Sequence, residues 1–505
     1  MDVLGIDFGM ENLKVAYYNG KTAQIVNIGS DQSGELTPNV VYYEEDIEDG
    51  TLKRYFGNNQ KTEDGKKLGS ENYIRHIKQK LYSDTKDKIK LCDGKYNLAV
   101  EEIITDIFKN INDNTVKEIR KEKYETILTV PVIFSEKQKN CLKKCAQKAG
   151  LNVSGFITEP FAALFSSEID VANIECDDET YIVVFDFGGS TLDICLAKLE
   201  AKGDKKSIVL RSSAGLRFGG NDVSEIILNN IVKPELEQYT DEFLKRCGDS
   251  QKILDFRFKE LADELKIELF NEEDNEEGEA SLFGHNVEIT KVRMEALLDE
   301  SGIKKRIIGL LDNMFEDDDE GAEKDDVSHI FTIGGTSKIP YFRNILEQYF
   351  DREPEGDIEE EEYVYNSVAL GATLYFTEKD NIDISIAIPI SVGIDRGRGF
   401  ETVLDKNMFF SAKGPIKTFE IKDLEKNNWS INIYQSLTGK KGESINSNDV
   451  LYTGKFILNK SVYDKEKAVY LRVSQNANGI RAEMLQADEK ENLIIAEIVE
   501  LETEE

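Results

Sequence analysis

Two aspartates and three glycine turns are the residues of this 505-residue chain whose types and spacing could do chemistry. Asp7 ends an apolar run that begins at Val3 and stands two residues before Gly9. Asp186 ends the run 181–185 and stands two residues before Gly188 and Gly189, and a third turn, Gly334 and Gly335, follows the apolar run 330–333. Glycine lets backbone N–H groups approach a polyphosphate that side chains would obstruct, so turns after strands are suitable phosphate cradles. Magnesium takes oxygen ligands, keeps several waters, and is commonly held by one or two carboxylates together with phosphates. One glycine turn alone is usually a hairpin, and one acid alone a turn residue. An acid at the tip of an apolar strand, repeated in both halves of one region and each time followed by glycine, points to a metal-bound polyphosphate between two lobes.

Composition narrows the partners. A formal charge of −34 argues against nucleic acid or an anionic membrane, because binding either takes clustered Lys and Arg. It does not exclude a nucleotide, since screening confines exposed charges to about 8 Å at physiological salt and the pocket's own amides and cations decide. Cys92, Cys141, Cys145, Cys176, Cys195 and Cys247 are scattered without a CxxC pair and read as buried free thiols. The three histidines, His76, His285 and His329, are too far apart in sequence for a zinc motif. The N-terminus shows no basic stretch before an apolar run, and no apolar run is long enough to cross a bilayer, so a cytoplasmic protein is expected.

The elements that must position these residues alternate between strand and helix. Residues 13–18 read as the hairpin partner of the first strand. Ile103, Ile104, Ile107, Phe108 and Ile111 recur at helical spacing, and residues 126–130 return to strand. Ser135 with Gln138 forms a capping box, Leu142, Cys145, Ala146 and Ala149 form a buried stripe, and Gly150 ends that helix. Residues 191–199 follow the second Asp-glycine turn as a strand, and a helix starts at Pro340. The acidic runs 271–279, 316–326 and 355–362 read as solvated loops. From about Ile384 the period changes to two, as in Trp429, Ile431, Ile433 and in Val469, Leu471, Val473. Asn478-Gly479 lies between two such runs as a hairpin signal, and a last strand is expected around 494–501. The chain therefore divides into a two-lobed α/β region and an all-β domain.

The motifs GIDFG (5–9), TPNVV (37–41), TVPVIF (129–134), AGLNVSGFITEPFAAL (149–164), VVFDFGGSTLDI (183–194), FGGND (218–222), LADELKIEL (261–269), IGGTSKIP (333–340) and PISVGI (389–394) span nearly the whole chain. In this order they resemble the signatures of the seventy-kilodalton heat-shock chaperones of DnaK type. The resemblance implies an actin-like two-lobed nucleotide domain over 1–379, a linker over 380–388, and a β-sandwich peptide-binding domain over 389–505. It implies slow hydrolysis of ATP to ADP, with Mg2+ and K+ as cofactors, and nucleotide control of peptide affinity. The implied partners are unfolded peptide or client protein, J-domain proteins and nucleotide exchange co-chaperones, with no nucleic acid and no membrane. By the same motifs Asp7 and Asp186 would hold the magnesium waters and Lys78 would contact the γ-phosphate and attacking water. Glu159 and Asp193 would complete the polar site, and Thr191 would contact phosphate or water. Gly9, Met10, Glu11, Gly188, Gly189, Ser190, Gly219 and Gly220 would surround the phosphates. Asp263 would face ribose and Lys266 lie along the base, with Gly334, Gly335, Thr336 and Lys338 on the other side. Phe419, Trp429 and Ile431 would line the peptide pocket.

Five departures from the family pattern set further expectations. Met10 and Glu11 stand where two threonines are common, which removes a phosphate donor and adds a charge. At about 8 Å a carboxylate would repel each phosphate charge by about 2 kcal/mol at an effective dielectric near 20. Lys338 replaces an arginine that stacks better. The linker reads DNIDI rather than leucine-rich, and Trp429 falls where a small aliphatic residue is usual, which would overfill the peptide pocket. The sequence reaches its end without the helical lid. Met10, Glu11 and DNIDI favour a rival reading, a nucleotide-binding scaffold or exchange factor that does not hydrolyse. An actin-like assembly or a sugar kinase fits the nucleotide motifs but not the β domain that follows.

Overall fold

The computed structural model describes residues 2–29, 36–82, 87–166, 169, 171, 174, 179–202, 205–270, 275–316, 321–356 and 361–378. Beyond these it describes 383–387, 391–395, 400–404, 409–410, 416–421, 430–436, 444–445, 450–457, 469–476, 479–487 and 493–500. Trp429 and Cys176 lie outside the described residues.

The two Asp-glycine turns terminate the central strands of two sheets built on one plan. In the first, Val3–Phe8 pairs antiparallel with Asn12–Tyr18 and parallel, on its other side, with Glu125–Val130. In the second, Glu179–Phe187 pairs antiparallel with Leu192–Lys202 and parallel with Val327–Ile333. The echo between IDFG and FDFGG is thus a repeat of topology. Val153–Thr158 extends the first sheet and Lys205–Leu216 the second. Val3, Leu4, Ile6, Val183, Val184 and Phe185 are buried, as expected for strands covered on both faces, which read as unbroken apolar runs.

Helices fix where these sheets lie. Val100–Ile119 and Glu136–Lys148 cover the outer face of the first sheet. The capping box at the start of the second helix forms as expected, with Ser135 N–H donating to Gln138 Oε1 at 2.8 Å. Between the sheets run Glu159–Ala163 and Glu361–Glu378. Their crossing needs glycine, because a Cβ on Gly371 would lie 1.8 Å from the Ala162 carbonyl oxygen. Likewise a Cβ on Gly5 would lie 2.4 Å from the Ala369 carbonyl. The result is one core shared by both sheets, in which Val3 and Ile127 meet Ile182, Val184, Phe161 and Val368. Each such burial contributes about 1.5–3 kcal/mol. This shared core holds the tips bearing Asp7 and Asp186 at a fixed separation.

The acidic run 271–279 is only partly a loop, contrary to its reading from sequence. Glu277–Leu282 is a strand hairpinned to His285–Thr290. Its alternation is weakly marked because the inward residues Gly278 and Ala280 are small, a Cβ on Gly278 lying 2.8 Å from the Leu265 carbonyl, while Glu277 and Glu279 face solvent. Pro340–Phe350 is a helix, as read.

The C-terminal strands form two antiparallel four-stranded sheets. One orders Phe400–Leu404, Ser391–Asp395, Ser430–Ser436 and Val450–Ile457; the other orders Ile416–Ile421, Val469–Asn476, Gly479–Ala487 and Leu493–Glu500. The hairpin expected at Asn478-Gly479 closes one residue earlier, with Asn476 opposite Gly479, so Gly479 belongs to the strand. Phe419 stands opposite Leu471, and Ile431 opposite Phe456 in the other sheet.

Among the described residues several contacts join this region to the lobes, two of them specific pairings. Asp383–Ala387, which starts at the last two residues of the DNIDI segment, adds in parallel to Lys205–Leu216, and Ile384 packs on the shared core. The Glu136 N–H, buried at a helix start where no intrahelical acceptor reaches it, donates to Gln435 Oε1 of the β region at 2.7 Å. No helix among the described residues is long and apolar enough to cross a membrane.

Candidate functional site

A cleft of about 610 Å³ opens between the strand tips. Asp7, Gly9, Met10, Glu11, Lys78, Glu159, Asp186, Gly188, Gly189, Ser190 and Thr191 line one end. Gly220, Asp263, Lys266, Gly334, Gly335, Thr336 and Lys338 line the remainder. Gly219 and Asp193 stand one layer behind. A Cβ on Gly219 would meet the backbone of Gly189 and Ser190 at 2.4 Å, so only glycine lets this turn back the loop. The loop's carbonyls are committed there: Gly188 accepts from Gly220 N–H at 3.1 Å and from Thr336 Oγ1 at 2.8 Å, and Gly189 accepts from Asn221 N–H at 2.8 Å.

The floor is an acid cluster around one buried lysine. Lys78 Nζ lies 2.7 Å from Glu159 Oε1, and the two come from opposite sides of the first lobe. Burial alone would lower the Lys78 ammonium, but the charges of Glu159 and Asp7 hold it above its ordinary value. Asp7 accepts from Thr129 Oγ1 at 3.1 Å. Burial, then the Glu159 charge, raises its carboxyl to about 6. Asp186 is raised well above the carboxylate range by burial and by Glu159, Asp193 and Asp7. Asp193, opposite Asp186 in the strand pair, accepts from Val132 N–H at 2.7 Å and is raised to about 8 by burial and Glu159. Asp7, Glu159, Asp186 and Asp193 outnumber the buried Lys14 and Lys78, which leaves the floor short of positive charge.

That imbalance fits a cation. The donors are all oxygen, and Asp193 Oδ2 is buried with no hydrogen-bond partner. Among the described residues no three His, Cys, Asp or Glu side chains converge to ligate a metal by themselves. A magnesium ion held by Asp7 and Asp186 with water and phosphate oxygens suits this set.

The loop that carries Met10 and Glu11 is tied down by Asn39, which donates through Nδ2 to Gly9 O at 2.7 Å and through N–H to Glu11 O at 2.6 Å. Glu11 extends over Gly189, where an added Cβ would meet its Cγ at 3.1 Å. Its carboxylate lies 2.8 Å from His76 Nε2, an ion pair when the ring is protonated. Burial pushes that carboxyl up, but His76, Asn221 and Lys266 together hold it at about 2. Enclosed by protein yet lining an open cleft, its side chain remains 43% exposed, so solvent weakens the effect.

Ion pairs span the cleft at its nucleoside end. Arg75 Nη1 and Lys66 Nζ of the first lobe reach Glu260 of the helix Gln251–Phe270 at 2.5 and 2.9 Å, and Arg75 also lies 3.5 Å from Asp263. Lys266 directs its ammonium to Gly220 O at 3.1 Å and Ser224 Oγ at 2.8 Å, so only its stem is left to face a base. Lys338 Nζ sits 5.8 Å from the centre of the Tyr365 ring.

A family model described as Hsp70 protein matches residues 3–505. The chain belongs to the Hsp70 protein family. A chaperone protein DnaK from Stenotrophomonas maltophilia (strain R551-3) is 26% identical over 438 residues, covering 81% of this Hsp70-family chain and 66% of that relative's length.

Sequence reasoning missed Asn39, His76, Arg75, Glu260, Phe270 and Tyr365. Asn39 lay within the quoted TPNVV motif, and its short amide beside a glycine turn was the available signal. The ion pairs join residues 185 positions apart, a pairing that no local pattern encodes.

Proposed function

We propose that this Hsp70-family chain binds ATP or ADP with Mg2+ in the interlobe cleft, hydrolyses ATP slowly, and uses nucleotide state to govern peptide binding in its β region. The observation that carries the reading is the buried acid cluster around the Lys78–Glu159 pair beneath three glycine turns. Phosphoryl transfer requires positioning and charge stabilisation more than covalent help, and these residues supply that. Lys78 is held by Glu159 to donate to the terminal phosphate and the attacking water. Thr191 and the 188–190 loop orient the phosphates. Magnesium, when bound by Asp7 and Asp186, supplies positive charge against the phosphate oxygens. Asp193 takes part from behind through Asp186 and its own uncommitted oxygen. Unfolded peptide is the proposed ligand of the β region, and J-domain and exchange co-chaperones are proposed partners on family membership alone.

A single-turnover assay with labelled ATP tests this. Parent should release phosphate only with Mg2+, and Asp186→Ala should lose release; equal release from both removes the assignment.

A second reading, binding without hydrolysis, is favoured by Glu11, whose carboxylate leans over Gly189 where a phosphate-binding hydroxyl is expected. Tight ATP binding with no phosphate release in single turnover would select it.

A further inference from the structure

Beside the phosphate loop stands a titratable pair, Glu11 with His76, that the reaction described above does not use. One short segment directs three basic side chains to three acids: Arg75 to Glu260, His76 to Glu11 and Lys78 to Glu159. Histidine is the residue type among these whose charge ordinarily changes between about pH 5 and 8. The backbone of His76 is left-handed, with φ of 56°, a conformation that histidine and asparagine adopt more readily than most residues. Its Nε2 is buried and lies 2.8 Å from Glu11 Oε1 without an aligned hydrogen bond, so the attraction depends on the charge of the ring. The same Oε1 lies against the phosphate loop, 3.5 Å from where a Cβ on Gly189 would stand.

The other charged groups around the ring are engaged elsewhere. Across a second cavity of about 340 Å³ that His76 borders, Lys259 pairs with Glu225 at 2.7 Å and Lys252 with Glu71 at 3.2 Å. Asp255 accepts from Gln251 Nε2 and Asp222 from Gly219 N–H, both at 2.8 Å. Asp263 holds Arg75 at 3.5 Å and Lys266 at 3.6 Å. Glu11 is therefore the acid that a proton on His76 answers.

We propose that Glu11 and His76 together set the balance between nucleoside triphosphate and diphosphate, so that mild acid shifts the cleft toward ATP and mild alkali toward ADP. The proposal rests on the nucleotide reading above and names a regulation of that site. With the ring neutral, Glu11 stands as an uncompensated charge over the phosphate loop and opposes the ligand that carries the additional phosphate charge. With the ring protonated, the pair is close to neutral and that penalty falls away. One charge acting across about 8 Å, reduced by the solvent that reaches Glu11, changes the ATP:ADP affinity ratio by about five-fold.

Calorimetric titration with Mg-ATP and Mg-ADP from pH 6 to 8.5 tests the pair in parent, His76→Asn and Glu11→Gln. Asparagine is neutral and suits the left-handed backbone. Protonation of the nucleotides and of the acid cluster is common to all three chains, so the comparison among them isolates the pair. In parent the ATP:ADP affinity ratio should fall by about five-fold from pH 6 to 8.5. His76→Asn should remove that fall and hold the ratio at the parent's alkaline value, and Glu11→Gln should raise the ratio at pH 8.5 by about five-fold. A ratio in His76→Asn that follows the parent's at every pH overturns the proposal while leaving the nucleotide reading intact. If His76→Asn fails to fold, the other two chains decide: a flat ratio in parent, or one in Glu11→Gln that matches parent at pH 8.5, overturns it. Failure of both nucleotides to bind at every pH removes the nucleotide reading, and this proposal with it.

Discussion

Replacing Lys78 by alanine removes the buried cation that contacts Glu159 in the acid cluster, and the structure sets the size of the effect. The Lys78–Glu159 contact is 2.7 Å, a gross attraction of about 6 kcal/mol at an effective dielectric near 20. Breaking a buried pair by deleting one partner costs about 3–5 kcal/mol net, because the other charge stays behind. Denaturant unfolding without nucleotide should show a loss of that order in the α/β region. Catalysis should lose a donor aimed at developing charge, about 2.7–4 kcal/mol or 10²–10³-fold in single-turnover rate. Lys78 also lowers Asp7 and Asp186, so without it both acids rise further. The pH below which Mg-ATP binding fades should therefore be higher in the variant than in the parent. A Lys78→Ala variant that hydrolyses ATP at the parental rate, with an unshifted pH profile, would refute the reasoning.

Further outcomes follow from the same geometry. Asp7 and Asp193 are raised in the fold to about 6 and about 8, so the nucleotide-free protein binds more protons than its unfolded chain. Its stability should therefore decline as pH rises through that window, and Mg-ATP binding near pH 7 should release protons, read by calorimetry in buffers of different ionisation heat. Stability that rises across the window would contradict the raised acids. Glu11→Thr should tighten ATP by about five-fold, since solvent reduces the roughly 2 kcal/mol of repulsion per phosphate charge; stopped-flow binding reads it, and weaker binding would show that the carboxylate helps. Glu260→Gln removes the partner of Arg75 and Lys66 across the cleft and should speed nucleotide release by about five- to ten-fold, with little change in association. An unchanged release rate would mean that the ion pairs do not hold the lobes closed. Gln435→Ala strips the helix start at Glu136 of its acceptor and should weaken docking of the β region by about 1 kcal/mol, seen as faster proteolysis between the domains.

The two-lobed plan was legible because both central strands are covered on both faces and end in an acid followed by glycine, a pattern visible one strand at a time. The Glu136–Lys148 helix was legible to its cap for the same reason: Ser135 and Gln138 act locally. Glu277–Leu282 was not, because its first inward positions, Gly278 and Ala280, are small and the glutamates beside them extend the acidic run, so the period of two was weakly marked. The docking of 383–387 uses backbone pairing to Lys205–Leu216, which composition does not record. At the site, residues that touch the phosphate cradles sit inside short motifs and could be named. Those that close the cleft, Arg75 with Glu260, are brought together only by the packing of one lobe against the other. Glu11 was expected as a bare charge near phosphate; its pairing with His76 depends on the left-handed backbone of His76, with φ of 56°, which the sequence does not announce.

The most direct test of the central claim is a calorimetric titration of the purified protein with ATP, with Mg2+ and then with chelator. Saturable binding of one ATP per chain that needs Mg2+ and is lost in Asp186→Ala is the predicted result. No heat with Mg-ATP, or equal binding in chelator, would contradict a cleft in which Asp7 and Asp186 hold a metal-bound triphosphate.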